Sequence, residues 1–191
     1  ADHAAACSER VRFFNFSLAD IGGGAAPAQL PSVPAPAPAP PLATTMCPGE
    51  VDVTGLGALS VIPTGMTTPD SLVPIDVQDG RKLVINMGAR GYFGSSCAAG
   101  TYNNEQYSAL KLLGKTIRFT ADISGAGCGC NAAFYLVSMR QNTEPSDCDD
   151  YYCDANKVCG VSCSEIDIME ANMYAWHSTL HTPHDHNGLG K

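Results

Sequence analysis

The chain has 191 residues, enough for one domain with a sizeable core, and 45% of them are hydrophobic, as in an ordinary soluble globular protein. Nineteen acidic against eleven basic residues leave a net charge of -8, which repels phosphate backbones and anionic membrane surfaces and argues against nucleic acid as a partner. No apolar run approaches the ~18 residues of a spanning helix, so no transmembrane segment is expected.

In chain order, the sequence opens at Ala1 with neither Met nor an apolar signal core, as a mature form does once its targeting segment is removed. The segment VRFFNFSLADI (11 to 21) is apolar enough to add an edge strand or to pack as an arm against the main body, and the arm is the expectation. It contains the glycosylation sequon Asn15-Phe16-Ser17, consistent with a secreted glycoprotein. Residues 27 to 41 (PAQLPSVPAPAPAPP) carry seven of the thirteen prolines, and alternating Pro-Ala holds a stiff polyproline II spacer. Residues 1–46 therefore read as an N-terminal arm with a Pro/Ala-rich linker, and residues 47–191 as the folded domain.

From residue 47 the texture becomes short β-prone runs separated by Gly, Pro, Asn and Asp, the spacing of an antiparallel β-sandwich. The predicted strands lie in VDVTGLGALSVIP, RKLVINMGARGYF, KTIRFTADIS, NAAFYLVSMR and SEIDIMEAN. In the third, Ile117, Phe119, Ala121 and Ile123 alternate with polar residues, the period of two that buries one face. NAAFYLVSMR is apolar on both parities, as a central strand covered on both sides is. Only EQYSALKLLG (105 to 114) reads briefly as helix. Residues 142 to 163 combine turn formers with four cysteines and read as a disulfide-stapled loop. Nine cysteines in all favour an oxidising compartment, secreted or lumenal, and the odd count leaves a thiol free, paired between chains or partnered outside these residues.

The stapled loop leads into SEIDIMEAN (164 to 172), whose three carboxylates stand among apolar residues. On a regular strand Glu165, Asp167 and Met169 share one face, while Glu170 falls on the other. A β-bulge after Asp167 flips the parity and brings Glu165, Asp167 and Glu170 together. Crowding like charges raises at least one pKa, so stability alone does not select this arrangement. Retaining glycoside hydrolysis does, because it needs a nucleophilic carboxylate and an acid/base carboxyl roughly 5 to 5.5 Å apart. A solvent-facing acidic strand edge, with or without bound Ca2+, is the plainer alternative. Four histidines in HSTLHTPHDH (177 to 186) suggest a Zn2+ or Cu2+ site, but the proline and the mixed spacing favour a cleft-edge loop. No metal and no cofactor is expected.

CSEIDIMEAN followed by HTPH resembles the active-site segment of glycoside hydrolase family 7, the cellobiohydrolases and endoglucanases, whose pattern is C-x-E-x-D-x-W-E-A-N. NMGAR (86 to 90), LLGKTIRFTADIS (112 to 124), CGCNAAFYLVSM (128 to 139) and YCD (152 to 154) follow in the family's order. The resemblance implies a jelly-roll sandwich acting on β-1,4-glucan, with Glu165 as nucleophile, Glu170 as acid/base and Asp167 between them. It implies that Asn86, Arg90, Asn131 and Tyr135 line the glycone side of the cleft. His184 matches the histidine of the family's T-P-H turn beside the leaving group, with three extra residues separating it from Glu170. The same matching implies that Cys153 pairs with Cys163, and that the partner of Cys128 lies beyond Lys191. Cys148 with Cys159 would be an extra staple, since connectivity does not follow from sequence alone.

Family catalytic domains run to more than twice this length, so the resemblance implies an incomplete sandwich whose open side is covered by a missing C-terminal half or by a protein partner. Met169 also replaces the family's tryptophan. Two functions follow: a retaining β-1,4-glucan hydrolase, or a non-catalytic jelly-roll module serving as a structural or carbohydrate-binding subunit of a larger assembly. A family-16-like enzyme acting on mixed-linkage or β-1,3-glucans is a third, distinguished by its substrates.

Overall fold

A computed structural model describes residues 10–22, 47–64, 73–98 and 100–182. The Pro/Ala-rich segment 27 to 41, Cys7 and His184 lie outside the described residues. The rest is antiparallel β-structure in three sheets, as expected of a β-sandwich. The strands are β1 (Val11–Asp20), β2 (Glu50–Val53), β3 (Gly57–Thr64), β4 (Ile75–Gln78), β5 (Lys82–Ile85), β6 (Arg90–Gly94), β7 (Lys115–Asp122), β8 (Ala132–Val137), β9 (Glu165–Ala171) and β10 (Trp176–His181). Their sheet orders are β4-β5-β1-β7, β10-β9-β8 and β2-β3-β6.

Three expectations change. The segment taken for an arm is β1, an inner strand paired to β5 on one side and β7 on the other. Its pairing to β7 slips between Phe14 and Ser17, where Asn15 takes a φ of 57°, a left-handed conformation that asparagine tolerates. That extra residue lets Phe13 and Phe16, three apart, both enter the core. There they meet Phe93, Phe119 and Phe134, with ring centroids 4.6 to 6.4 Å apart.

Secondly, EQYSALKLLG is not a helix. A 3-10 turn at Asn104–Gln106 ends at once, because Tyr107 is drawn into the core and its segment runs extended beside Gly94, with Ser108 N–H donating to Phe93 O at 2.9 Å. Thirdly, β8 is the edge of its sheet and β9 the centre. Both parities of β8 are apolar because Ala133 and Tyr135 face a cleft while Phe134 joins the aromatic core.

A second cluster gathers Ile62, Tyr107, Met139, Tyr152, Cys153 and Cys159 under the loop of residues 142 to 163. At its centre the fully buried Asp150 accepts hydrogen bonds from Thr64 Oγ1 (2.7 Å), Tyr92 OH (2.9 Å) and Tyr152 N–H (3.0 Å), while its carbonyl accepts from Tyr107 OH at 2.5 Å. A buried carboxylate survives only when its oxygens are satisfied in this way. Asp150→Ala is expected to lower unfolding free energy by about 3 kcal/mol, read from urea midpoints at constant slope, because Tyr92 OH and the Tyr152 amide lose their buried acceptor.

Candidate active site

β9 carries the three carboxylates, and its two neighbours report the same irregularity. Against β8, Met169 faces Phe134 and Asp167 faces Tyr135, so two steps on β9 match one on β8. Against β10, Glu170 faces His177 and Asp167 faces Thr179, so three steps match two. β9 therefore holds one extra residue between Asp167 and Met169, which is the bulge expected from the sequence. Beyond it Met169 and Ala171 are buried in the core, and Glu170 returns to the face of Glu165 and Asp167.

The three acids line one cleft of about 430 Å3 together with Asn86, Arg90, Asn131, Tyr135 and Tyr152. All four residues matched to the glycone side thus lie in the same cavity as the carboxylates. Their engagements differ. Asn131 Nδ2 donates to Glu170 Oε1 at 2.8 Å, tying it to the acid rather than leaving it free for sugar. Asn86 Nδ2 donates to Pro74 O at 3.0 Å. The Arg90 guanidinium lies 4.1 Å above the Tyr152 ring, a cation-π contact, and Tyr152 OH meets Tyr135 OH at 3.2 Å. Burial raises the pKa values of Tyr135 and Tyr152, so both phenols stay protonated at neutral pH, one of them donating to the other.

Each buried acid has its own partner. Glu165 Oε2 accepts from the Ala155 backbone N–H at 3.0 Å. Burial pushes the Glu165 pKa up, the Ala155 N–H opposes that rise, and the charges of Asp167 and Asp154 reinforce it. Asp167 Oδ2 lies 2.9 Å from His181 Nε2, with both side chains only 6% exposed. Its pKa is raised by burial and next by Glu170, and His181 pulls it back.

His181, Tyr152 and the Ala155 amide were not read as site groups from the sequence. His181 was legible in principle: in WHSTLH the alternating residues His177, Thr179 and His181 face Glu170, Asp167 and Glu165 across the β10–β9 ladder. Finding them requires the strand pairing, which the sequence does not display. The histidine brought to the carboxylates is thus His181, whereas His184 falls outside the described residues.

Three disulfides form among the described residues: Cys47–Cys97, Cys148–Cys159 and Cys153–Cys163. The last two pairs are the staples anticipated for the loop before β9, and Cys128 is free and exposed. No described helix is long and apolar enough to cross a membrane.

Comparison with known proteins decides the family. The profile of Glycosyl hydrolase family 7 matches residues 45–150. The chain belongs to glycosyl hydrolase family 7. The match ends before β9 and so does not reach the carboxylates. Among curated relatives, Endo-beta-1,4-glucanase celB of Emericella nidulans is 30% identical over 112 residues, covering 46% of this chain and 26% of that protein. Endo-beta-1,4-glucanase celB of Aspergillus oryzae is 34% identical over 108 residues, 46% of this chain and 25% of that protein. Endoglucanase EG-1 of Hypocrea jecorina is 28% identical over 177 residues, 77% of this chain and 37% of that protein. The family 7 chain therefore spans about a quarter to somewhat over a third of the length of these relatives. No solved structure matches it.

Proposed function

We propose that this family 7 chain forms the acid-bearing part of a retaining β-1,4-glucan hydrolase. The observation that carries the reading is the bulge in β9, which gathers Glu165, Asp167 and Glu170 on one wall of a cleft that Asn131, Tyr135 and Arg90 also line. Matching carboxylates to a glycosidic bond gives Glu165 the attack on the anomeric carbon. Glu170 protonates the leaving oxygen and then, as base, activates the water that releases the sugar. Asp167 keeps a proton more readily than an ordinary aspartate, which limits the charge that accumulates beside Glu165. Phenol and guanidinium groups supply hydrogen bonds to sugar hydroxyls. The glucan specificity follows that of the endoglucanases to which the chain is similar, and the disulfides suit a secreted enzyme.

The face of β9 and β10 turned away from the acids exposes Ile166, Trp176 and Leu180, an apolar stripe that favours a covering layer from further chain or from a partner protein. A wholly structural role for the domain is the second reading. Both meet one experiment: hydrolysis of cellopentaose by a family-length chain carrying these residues, followed by proton NMR of the new reducing ends. Retention yields the β anomer first, with the α form appearing only at the rate of mutarotation. If the α anomer forms first, the nucleophile assignment fails; if no bond is cut, the structural reading stands.

A further inference from the structure

Resting on the reading of Glu165 as nucleophile, we propose that the backbone amide of Ala155, carried to the cleft by the Cys153–Cys163 staple, is the positioning group that fixes which oxygen of Glu165 attacks. The geometry is that of two short segments held side by side. Ala155 stands two residues after Cys153, and Glu165 two residues after Cys163, so the disulfide sits at the same offset from donor and acceptor. Between them Asp154 and Ser162 form a parallel bridge, and Cys163 N–H donates to Asp154 O at 3.0 Å. The Asp154 side chain folds back to accept from Val158 N–H at 3.0 Å, which closes the turn on its outer side. Ala155 is fully buried, and its N–H reaches Glu165 Oε2 at 3.0 Å.

A buried N–H donating to a carboxylate is a strong bond, and the covalent staple removes most of the ordering cost of holding it there. With Oε2 engaged, Oε1 is the oxygen that bonds to the anomeric carbon while the bond to the leaving oxygen breaks and Glu170 gives that oxygen its proton. The same N–H stabilises the ionised form of Glu165 against its surroundings. Facing Glu165 are Asp167 on its own strand, His181 opposite it on β10, Tyr135 on β8 and Asp154 from the loop, while Glu170 lies further along β9 and Arg90 lines the same cleft. Of these, the Asp167 and Asp154 charges oppose ionisation of Glu165, so the amide offsets a real penalty.

The test removes one hydrogen. Incorporating lactic acid at position 155 turns the amide into an ester of the same shape without the N–H, and the Cys153→Ser, Cys163→Ser double variant provides an independent perturbation of the same contact. The same ester exchange at the exposed Glu144, whose amide bonds the half-buried Asn142 side chain away from the cleft, is the control. The first readout needs no activity: in 13C-labelled protein the Glu165 carboxyl is expected to titrate about one pH unit higher in the position-155 ester, and unchanged in the control. The second is kinetic: kcat falls about tenfold or more with KM little changed, and the acid limb of the kcat profile moves up in pH. An unchanged Glu165 midpoint in a folded ester overturns the proposal. Failure of the underlying reading looks different, since Glu165→Gln would then retain activity whatever the ester does.

Discussion

Replacing Glu165 by glutamine is expected to lower kcat on a soluble cellooligosaccharide by about a thousandfold or more, because the amide keeps the shape and the Ala155 hydrogen bond but cannot form the glycosyl-enzyme bond. The fold should be at least as stable. Glu165 carries a folded-state pKa above its ordinary value, so the folded protein holds this proton more tightly than the unfolded chain does. As pH rises through the interval between the unfolded and folded values, that difference costs stability, and above the folded value the cost is complete. Glutamine removes it. The melting midpoint of Glu165→Gln at pH 7 should therefore lie at or above that of the parent, and the advantage should vanish in acid, below the unfolded pKa. Removal of a structural carboxylate lowers stability instead, as loss of Asp150 would by taking the acceptor from Thr64, Tyr92 and Tyr152. Activity above about a tenth of the parent, or a fall in the midpoint, removes Glu165 from the role of nucleophile.

How much of this was legible in the sequence depends on where each signal resides. The bulge in β9 was legible because two functional constraints collide in six residues: three acids must share a face, and their spacing forbids it on a regular strand. The same reasoning applies to β1, where Phe13 and Phe16 are also three apart and both buried, with Asn15 as the residue suited to the left-handed step. It was missed because three phenylalanines in a short segment next to a proline-rich stretch read equally well as an arm. The helix expected at 105 to 114 failed for another reason. Leu110 and Leu113 stand three apart, a helical spacing, but Tyr107 is held by the core and by Asp150, and this tertiary anchor outweighs a weak local propensity.

The site divides along the same line. Residues from recognisable blocks, Asn86, Arg90, Asn131 and Tyr135, line the same cavity as the acids. What each one touches was not legible. That Asn131 holds Glu170, and that Arg90 stacks on Tyr152, depends on side-chain directions set by strand pairing and by a loop whose shape comes from its disulfides. His181 shows the limit plainly. It sits in a histidine-rich run where composition offers several equivalent imidazoles, and only the β10–β9 register selects the one beside Asp167.

The register also separates the two glutamates chemically, and this gives the sharpest prediction for Glu170. Glu165 is buried and braced by a backbone donor, whereas Glu170 is half-buried with its Oε1 accepting from the neutral Asn131 amide. A group in that position can exchange protons with a leaving oxygen and with water, as an acid/base must. Glu170→Ala should therefore lower the rate on cellooligosaccharides by about a thousandfold, since an alkoxide of glucose is a poor leaving group without a proton. On an aryl cellobioside with an acidic phenol, departure needs no proton, and the first step should fall by less than about tenfold. Hydrolysis of the glycosyl-enzyme then limits turnover because no base activates water. A burst of phenol followed by a slow steady state is the expected trace, and azide, small enough for the space vacated by the side chain and needing no base, should accelerate the slow phase and yield the β-glycosyl azide. Equal losses on both substrates, without burst or rescue, assign Glu170 to positioning rather than to proton transfer. The Glu170→Gln variant, which preserves an acceptor for Asn131, separates that outcome from simple collapse of the cleft wall.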